Sequence, residues 1–353
     1  MSTYSAMERF AEAQRRLVTQ ASDFSLETVA AMVDTQAIDP SPAYQRRARW
    51  SVSKQSALIE SFLLNVPVPP VYLAEEEFGY YSVIDGQQRI TAVHDFMRGR
   101  LELRGLKELP ELNNARIDAL PEAMRNALRM RPYIRAVTLL RQSDPDLKYE
   151  VFIRLNRGGE RLTDQEVRNS AMRGPLNDLL IELGSNPFLW QQFNITPSSE
   201  RFAQMADVEY VLRFLTLLHS WPSFTGDLSP SMDHFMLENA HAGRQGLEQF
   251  ALEFNSALVR CEEIWGVNAF RRAEQDTWRG RGLLGMYDAE MLSVALLSEA
   301  EVNKAAARSD NVLRMTNNLF DDPEFVKAVT VSTNTSARLR FRVEALMHLL
   351  RNA

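Results

Sequence analysis

The sequence predicts an α+β fold in which a small mixed domain precedes a mainly helical domain. From residue 44 to about residue 140, extended apolar stretches alternate with helical patterns, whereas beyond about residue 146 strand patterns nearly vanish. A chain of 353 residues, 45% of them hydrophobic, is long enough for two domains that each have a core. We therefore divide it into an N-terminal helix and linker (1–43), a mixed domain (44–145) and a helical domain (146–353).

Two helices are predicted before the first strand of the mixed domain. The stretch SLETVAAMV (25–33) is helical, and two prolines in DPSPAY (39–44) interrupt the chain after it. In KQSALIESFLLN (54–65), Leu58 and Phe62 lie four residues apart on one apolar face. This spacing predicts a second helix, packed by that face.

The rest of the mixed domain alternates strand and helix. Prolines favour extended backbone in VPVPPVYL (66–73), and the β-rich runs YYSVID (80–85) and YIRAVTLL (133–140) predict strands. QQRITAVHDFMRG (87–99) is predicted to be a helix, with Gly99 just after its end. The residues of this helix predicted to face the core are Ile90, Val93 and Phe96.

The helical domain is predicted from capping residues and apolar stripes. Thr163 and Glu166 have the spacing of a capping box, and Asp207 is predicted to cap the helix of residues 208–219. The stretch WPSFTGDLSPS (221–231) is predicted to be a long loop. The two apolar stripes at helical spacing are Val208, Val211, Leu212, Leu215 and Leu218, and Leu339, Val343, Leu346 and Leu350.

Composition excludes several classes of function. The net charge of −6, from 40 Lys+Arg against 46 Asp+Glu, argues against broad nucleic-acid binding. No apolar run approaches the ~20 residues that span a bilayer, and the N-terminus has no apolar signal-peptide core. The single cysteine, Cys261, gives neither an internal disulfide nor a CxxC metal site, and the sequence has no HExxH or P-loop motif. These features predict a soluble cytoplasmic protein without a membrane partner.

The segment DGQQR (85–89) lies where a predicted strand becomes a predicted helix. A helix N-terminus offers unpaired N–H groups to anions, Gly86 permits close approach of the backbone, and Arg89 can bind a phosphate through two N–H groups. Gln87 and Gln88 add hydrogen-bonding groups without charge, and Asp85 can hold Mg²⁺ through water. The alternative is a simple Asp-Gly turn before an Asp-capped helix with a solvated arginine.

A second polar segment is YQRRARW (44–50). Its arginines Arg46, Arg47 and Arg49 stand between two aromatic residues, an arrangement that suits phosphate binding or base stacking. The alternative is a solvated basic turn that Trp50 anchors to the core.

A third polar segment is FIRLNRGGERLTDQEVRN (152–169). Its Gly-Gly pair permits unusual backbone angles beside Asn156, and Glu166 and Arg168 fall in the helix that follows. Glu166 is a candidate for a catalytic or metal-linked carboxylate. Its alternative role is to complete the capping box with Thr163, and the two roles are compatible.

Together, in this order and spacing, the three segments resemble the DGQQR domain family. This family includes the N-terminal domain of GmrSD-type modification-dependent (type IV) restriction enzymes, and the phosphorothioate-sensing defence protein SspE carries a similar domain. The resemblance is close from about residue 25 to residue 185. Further on, STNTSARLRFRV (332–343) resembles the closing turn and helix of the family.

The resemblance implies a ParB/sulfiredoxin-like α+β domain whose DGQQR turn binds a nucleoside triphosphate with Mg²⁺. Characterised members hydrolyse nucleoside triphosphates and couple hydrolysis to recognition or cutting of modified phage DNA. The positions predicted to be catalytic are Asp85, Gln88, Arg89 and Glu166, with Asp85 also on Mg²⁺. Those predicted to bind nucleotide are Gln45, Arg46, Gly86, Gln87, Asn156, Gly158, Gly159 and Arg168.

One departure from the family affects the prediction of activity. GmrSD and SspE architectures carry an HNH-type nuclease domain, whereas this sequence has only an isolated MDHF (232–235). We therefore expect a nucleotide-hydrolysing module of an antiphage restriction system that is not a nuclease on its own. Its expected partners are DNA, modified or not, and a separate nuclease or effector protein. The sequence leaves open whether the chain forms a homo-oligomer. The alternatives are a non-catalytic DNA- or nucleotide-sensing module and, third, a scaffold that keeps only the fold.

Overall fold

The chain folds into two compact units, Met1–Thr163 and Asp164–Ala353. The computed structural model describes residues 17–39, 50–143, 163–172, 174–221, 223–274 and 277–353, together with four single positions, Met7, Val151, Arg154 and Leu155. The predicted α+β class is confirmed, since a small sheet belongs to the first unit and the second unit is mostly helical.

The first unit is built on one five-stranded mixed sheet. Its strands are β1 (Thr19–Ser25), β2 (Ile38–Asp39), β3 (Val71–Glu77), β4 (Tyr80–Asp85) and β5 (Tyr133–Leu139). Its helices are α1 (Leu26–Asp34), α2 (Val52–Leu63), α3 (Gln87–Met97) and α4 (Glu122–Met130), with 3-10 turns at Pro110–Leu112 and Ile117–Ala119. The strand order is β1-β5-β3-β4-β2, in which the pairs β1–β5 and β3–β4 are antiparallel and the pairs β5–β3 and β4–β2 are parallel.

The core of the first unit contains the apolar face of α3, as predicted. Ile90, Val93 and Phe96 are each at most 1% exposed, and α3 packs against α1 and α2. Burying a large apolar side chain stabilises a fold by about 1.5–3 kcal/mol. The burial of this face therefore fixes the position of α3 and of the turn at its N-terminus. Gly99, in left-handed conformation at φ +70°, follows the helix as predicted.

Two strands of this sheet were not predicted. The sequence of residues 1–43 predicts only a helix and a linker, but β1 pairs along its whole length with β5, from Thr19 opposite Leu139 to Ser25 opposite Tyr133. The sequence TQASDFS has no regular apolar alternation, because β1 is an edge strand whose first three residues are exposed. The two-residue β2 is too short to leave a pattern.

The second unit is a packed set of helices with one small hairpin. Its helices are α5 (Asp164–Ala171), α6 (Pro175–Gly184), α7 (Pro187–Phe193), α8 (Glu200–Ala203), α9 (Ala206–Ser220), α10 (Leu228–Asn239), α11 (Arg244–Trp265), α12 (Leu284–Leu296), α13 (Glu299–Ala306), α14 (Ser309–Leu319), α15 (Pro323–Thr330) and α16 (Ser336–Asn352). A 3-10 turn, Gly266–Asn268, precedes the hairpin of β6 (Arg271–Glu274) and β7 (Thr277–Gly282). The helix α12 is buried along most of its length and packs against α9, α11 and α16.

The predicted apolar stripes form the contacts of α9 and α16. All four stripe residues of α16 are buried, and in α9 four of the five are buried while Leu218 is half-buried. Both helices therefore occupy the positions that their periodicity indicates.

Two local predictions for the second unit are wrong, and one hairpin was not predicted. Part of the predicted loop is helix, because α10 starts at Leu228 and tolerates Pro230 in its first turn, where N–H groups have no intrahelical partner. Asp207 is not the cap of α9; Met205 holds that position at φ +58°, and the buried Asp207 carboxylate accepts a hydrogen bond from Trp190. The hairpin β6–β7 was not predicted at all. Among the described helices, none has the length and apolarity that a bilayer span requires.

Candidate active site at the turn between β4 and α3

The turn between β4 and α3 depends on a glycine. Gly86 adopts φ +98°, ψ 12°, in the left-handed region that residues with a Cβ rarely occupy. A Cβ at this position would lie 2.5 Å from Cγ1 of Val71, so the backbone of the turn passes directly against β3. Any other residue would be strained both by its backbone angle and by this contact.

The N-terminus of α3 carries no side-chain cap. The N-cap residue of this 11-residue helix is Gly86, which has no side chain that could accept a hydrogen bond from the first N–H groups. The first N–H groups of α3 therefore lie at the positive end of the helix dipole, and the N-cap residue does not cover them. The alternative of an Asp-capped helix is wrong, because Asp85 makes a different contact.

That contact is an ion pair with Arg89. The guanidinium Nη2 of Arg89 lies 2.5 Å from Oδ2 of Asp85, and Nη1 donates to the carbonyl oxygen of Pro69 at 3.0 Å. The Arg89 side chain is only 12% exposed, so it is not the solvated arginine of the alternative interpretation, whereas the Asp85 side chain is 38% exposed. Two contacts thus orient the guanidinium at the turn, and solvent reaches the carboxylate.

A register shift places Asp85 at the end of β4. Asp85 lies opposite Tyr72, but Val83 lies opposite Leu73, so Ile84 is an extra residue on β4. Such a bulge bends a strand and re-aims the side chains that follow it. The bulge therefore sets the direction in which the Asp85 carboxylate leaves the sheet.

Gln88 fixes the chain that follows the arginine-rich segment. Its Oε1 accepts from the backbone N–H of Trp50 at 3.0 Å, and Gln55 donates to the carbonyl oxygen of Trp50 at 2.9 Å. The Lys54 ammonium lies 4.9 Å from the centre of the Trp50 ring, which packs against the core of the unit. The end of YQRRARW is therefore held next to the first turn of α3.

Five predicted site residues lie outside the described part of the chain. They are Gln45, Arg46, Asn156, Gly158 and Gly159. Their roles stay predictions.

Arg168 and Glu166 lie on α5, in the second unit. Arg168 is 1% exposed; its Nε donates to Asp233 Oδ1 at 2.6 Å and its Nη2 to Ser229 Oγ at 2.6 Å. These contacts tie α5 to α10 and favour a structural role for Arg168. Nearby, burial raises the pKa of the Glu209 carboxyl, while the positive charge of Arg168 partly lowers it. The predicted roles of Arg168 and Glu166 at a nucleotide stay predictions.

The residues present fit a magnesium ion that arrives with a nucleotide. Within the described ranges, no group of three or more His, Cys, Asp or Glu side chains could hold a metal ion. Mg²⁺ bound to a nucleotide usually needs only one or two carboxylates, because phosphates and waters supply its other ligands. Asp85 alone satisfies that requirement.

Only some of the contacts at this turn have a signal in the sequence. The four-residue spacing of Asp85 and Arg89 is the spacing of helical ion pairs, and it predicts their contact. The roles of Pro69 and Val71 could not be found in this way, because the proline-rich run indicates extended backbone but not its strand partner.

Comparison with protein families agrees with this geometry. Residues 29–173 match the sequence model of the GmrSD restriction endonuclease N-terminal domain. This segment belongs to that domain family. The GmrSD-type domain contains the whole DGQQR turn, and the predicted family is thereby confirmed. It is a module associated with restriction systems, in a family associated with NTP-dependent restriction.

Two further comparisons gave no relatives. Neither the search of curated proteins nor the search of solved structures returned a match. The ParB/sulfiredoxin-like relationship therefore stays a prediction.

Proposed function

We propose that the GmrSD-type domain binds a nucleoside triphosphate with Mg²⁺ at the turn between β4 and α3 and hydrolyses it. Hydrolysis would drive a restriction step against phage DNA, modified or not, whose cutting is supplied by a separate nuclease or effector protein. The observation that carries the proposal is the left-handed Gly86 at the N-terminus of α3, with the Arg89 guanidinium held beside it by Asp85 and Pro69.

Phosphate binding follows from the backbone and from one arginine. The N–H groups of Gln87, Gln88 and Arg89 bind phosphate oxygens at the positive end of α3, and Gly86 lets the backbone approach them closely. Pro69 and Asp85 hold the Arg89 guanidinium before the ligand arrives, so little freedom is lost on binding.

The chemical step rests on Asp85. Its solvent-reached carboxylate accepts a proton from the attacking water or holds a water on the magnesium ion. When bound, Mg²⁺ neutralises charge on the phosphates. Gln88 positions the site, because its side-chain oxygen Oε1 accepts a hydrogen bond from the backbone N–H of Trp50. The remaining assignments rest on the family resemblance; they are Gln45, Arg46, Asn156, Gly158, Gly159, Glu166 and Arg168.

A second candidate is a sensing module that binds nucleotide or DNA without turnover. The 2.5 Å ion pair favours it, because Asp85 and Arg89 neutralise one another while they are paired. Turnover requires the nucleotide to separate them, whereas sensing requires only that binding change their contact.

Phosphate release and nucleotide binding, measured together, separate these functions. The full chain is assayed with each of the common nucleoside triphosphates and Mg²⁺, with and without DNA. Asp85→Asn should lower the rate by roughly 10²–10⁴-fold, the usual contribution of a general base, while calorimetry still detects binding. Arg135→Ala is the matched control, since Arg135 forms an exposed pair with Asp23 in the same unit.

Each outcome is informative. Wild type that binds nucleotide but releases no phosphate supports the sensing module. Wild type that binds no nucleotide, or turnover equal in wild type and Asp85→Asn, contradicts the proposed active site.

A further inference from the structure

The second unit contains a cavity of about 510 Å³ beside the β6–β7 hairpin. This volume lies within the usual range of small-ligand sites, about 300–1,000 Å³. The residues that line it are Asn194, Arg272, Arg279, Gly280, Arg281, Gly282, Leu283 and Thr330. We call it the arginine pocket.

Positive charge dominates the arginine pocket. Glu274 pairs with one of its arginines, Arg279, with Nε and Oε1 2.5 Å apart. Arg281 is exposed and forms no hydrogen bond or ion pair with the described residues. The buried Nε of Arg272 likewise has no hydrogen-bond partner among them. An anion in the cavity would accept hydrogen bonds from Arg281 and from the Arg272 Nε, which have no hydrogen-bond partner among the described residues.

The fold holds the pocket open in a fixed shape. A Cβ at Gly282 would lie 2.9 Å from the Phe193 ring, so β7 packs tightly on the end of α7. Asn194 donates to the carbonyl oxygen of Gly280 at 3.4 Å, and Arg271 donates to Gln192 Oε1 at 3.1 Å. These contacts fix the backbone of the hairpin from which the arginines of the pocket extend.

We propose that the arginine pocket binds a phosphate group. A guanidinium presents its N–H donors as a fork that matches the oxygens of phosphate, and three such groups line this cavity. The phosphate comes either from a free nucleotide or from the backbone of a nucleic acid strand. The pocket belongs entirely to the second unit, whereas the DGQQR turn belongs to the first, so this inference does not rest on the proposed nucleotide hydrolysis.

Binding measurements on the full chain distinguish the two sources. The probes are inorganic phosphate, a nucleoside triphosphate, and labelled DNA of about 20 nucleotides, which exceeds the usual site size on a single strand. Arg281→Ala should weaken binding roughly tenfold or more, since it removes charge-assisted hydrogen bonds. For DNA it should also reduce the salt dependence, by about 0.7–0.9 per lost phosphate contact.

A second variant guards against loss of structure. Gly280 lines the pocket and a Cβ there meets no atom within 4 Å, so Gly280→Glu adds a negative charge at the pocket without a clash at Cβ. It should abolish binding there while melting as wild type does. The control is Arg244→Ala, which removes an exposed arginine of α11 and should not change DNA binding.

The outcomes decide both the site and its ligand. DNA binding that both pocket variants weaken assigns the pocket to a nucleic acid strand. If the pocket variants weaken the binding of phosphate or triphosphate but not of DNA, and do so equally in a chain that also carries Arg89→Ala, the pocket is assigned to a free phosphate compound. If wild type binds none of the probes, or both pocket variants bind them as wild type does, the proposal is overturned.

Discussion

Arginine and aspartate pair in both units of the protein, but in different surroundings. At the DGQQR turn, Arg89 holds an Asp85 whose side chain is 38% exposed. In the second unit, Asp288 lies between Arg213 and Arg342, and none of the three side chains is more than 5% exposed. In the proposed site a phosphate would replace a carboxylate that solvent reaches, whereas the side chains of the second cluster are almost completely buried. The two clusters contain the same residue types, so the difference in burial, and not in composition, separates a proposed ligand site from a purely structural cluster.

The buried cluster joins the C-terminal helices. Arg213 donates to both oxygens of Asp288 at 2.5 and 2.6 Å, and also to Asn334 Oδ1 at 3.0 Å. Arg342 donates to Asp288 and to the carbonyl oxygen of Thr333 at 2.6 Å. The Ser/Thr-rich turn before α16, one of the segments that resemble the family, is therefore held by buried charges.

The largest expected effect is on stability and comes from Asp288→Asn. The variant leaves two guanidiniums buried without a carboxylate, and breaking a buried pair in this way costs about 3–5 kcal/mol. Denaturant unfolding followed by tryptophan fluorescence measures it, because four of the five tryptophans lie in the second unit.

The matched control is Asp23→Asn in the first unit. The side chains of Asp23 and Arg135 are 40% and 57% exposed, and such pairs contribute little to stability. Its unfolding midpoint should equal that of wild type. If Asp288→Asn also left the unfolding midpoint unchanged, the buried cluster would not stabilise the second unit.

The next largest effect should be on nucleotide affinity, from Arg89→Ala. The loss of hydrogen bonds to a charged group costs about 1.5–3 kcal/mol, which is roughly a ten- to hundred-fold weaker affinity. Arg89→Lys should restore only part of it, because an ammonium is a point charge and not a fork. Calorimetry beside thermal melting checks this, and melting should change much less than in Asp288→Asn.

Two results would contradict the contrast between the Asp85–Arg89 pair and the buried Asp288 cluster. Nucleotide affinity equal to that of wild type would mean that Arg89 does not bind phosphate. A large loss of stability would mean that its bonds to Asp85 and Pro69 are structural, as those of the buried cluster are.

The smallest expected change, at most about 1.4 kcal/mol for each pH unit, concerns Glu290 of the second unit. Burial raises the pKa of the Glu290 carboxyl well above its usual value, although the N–H of Phe270 donates to it. The folded protein then keeps a proton that the unfolded chain releases above about pH 4.5. The free energy of unfolding should therefore fall as pH rises from about 4.5 toward the raised pKa of the folded state, by at most about 1.4 kcal/mol per pH unit for this one proton.

Glu290→Gln should flatten that dependence. The amide stays neutral at every pH and can still accept from Phe270 through its oxygen. Urea unfolding of both proteins at several pH values compares the slopes. Equal slopes would show that Glu290 does not hold its proton in the folded state.

The sequence was sufficient to predict the elements with regular apolar patterns. The positions of α3, β4, β5 and α16 follow from them, and the strand-to-helix turn at residues 85–89 was placed correctly. What escaped prediction depends on tertiary partners. Arg213 and Arg342 lie among apolar residues of α9 and α16, and no periodicity shows that Asp288 neutralises them. The hairpin β6–β7 was missed because arginine and glycine, not β-branched residues, make up most of β7.

The edge strand β1 determines where the first unit can be cut. The family match begins at residue 29, but β1 (Thr19–Ser25) lies before it and covers one side of β5 over seven residues. A recombinant fragment that starts at the family boundary would bare the N–H and C=O groups of β5 along that side. An uncovered strand edge recruits other chains, so such a fragment would aggregate in solution although every residue of its DGQQR turn is present. The smallest unit useful for crystallisation or titration therefore includes residue 19.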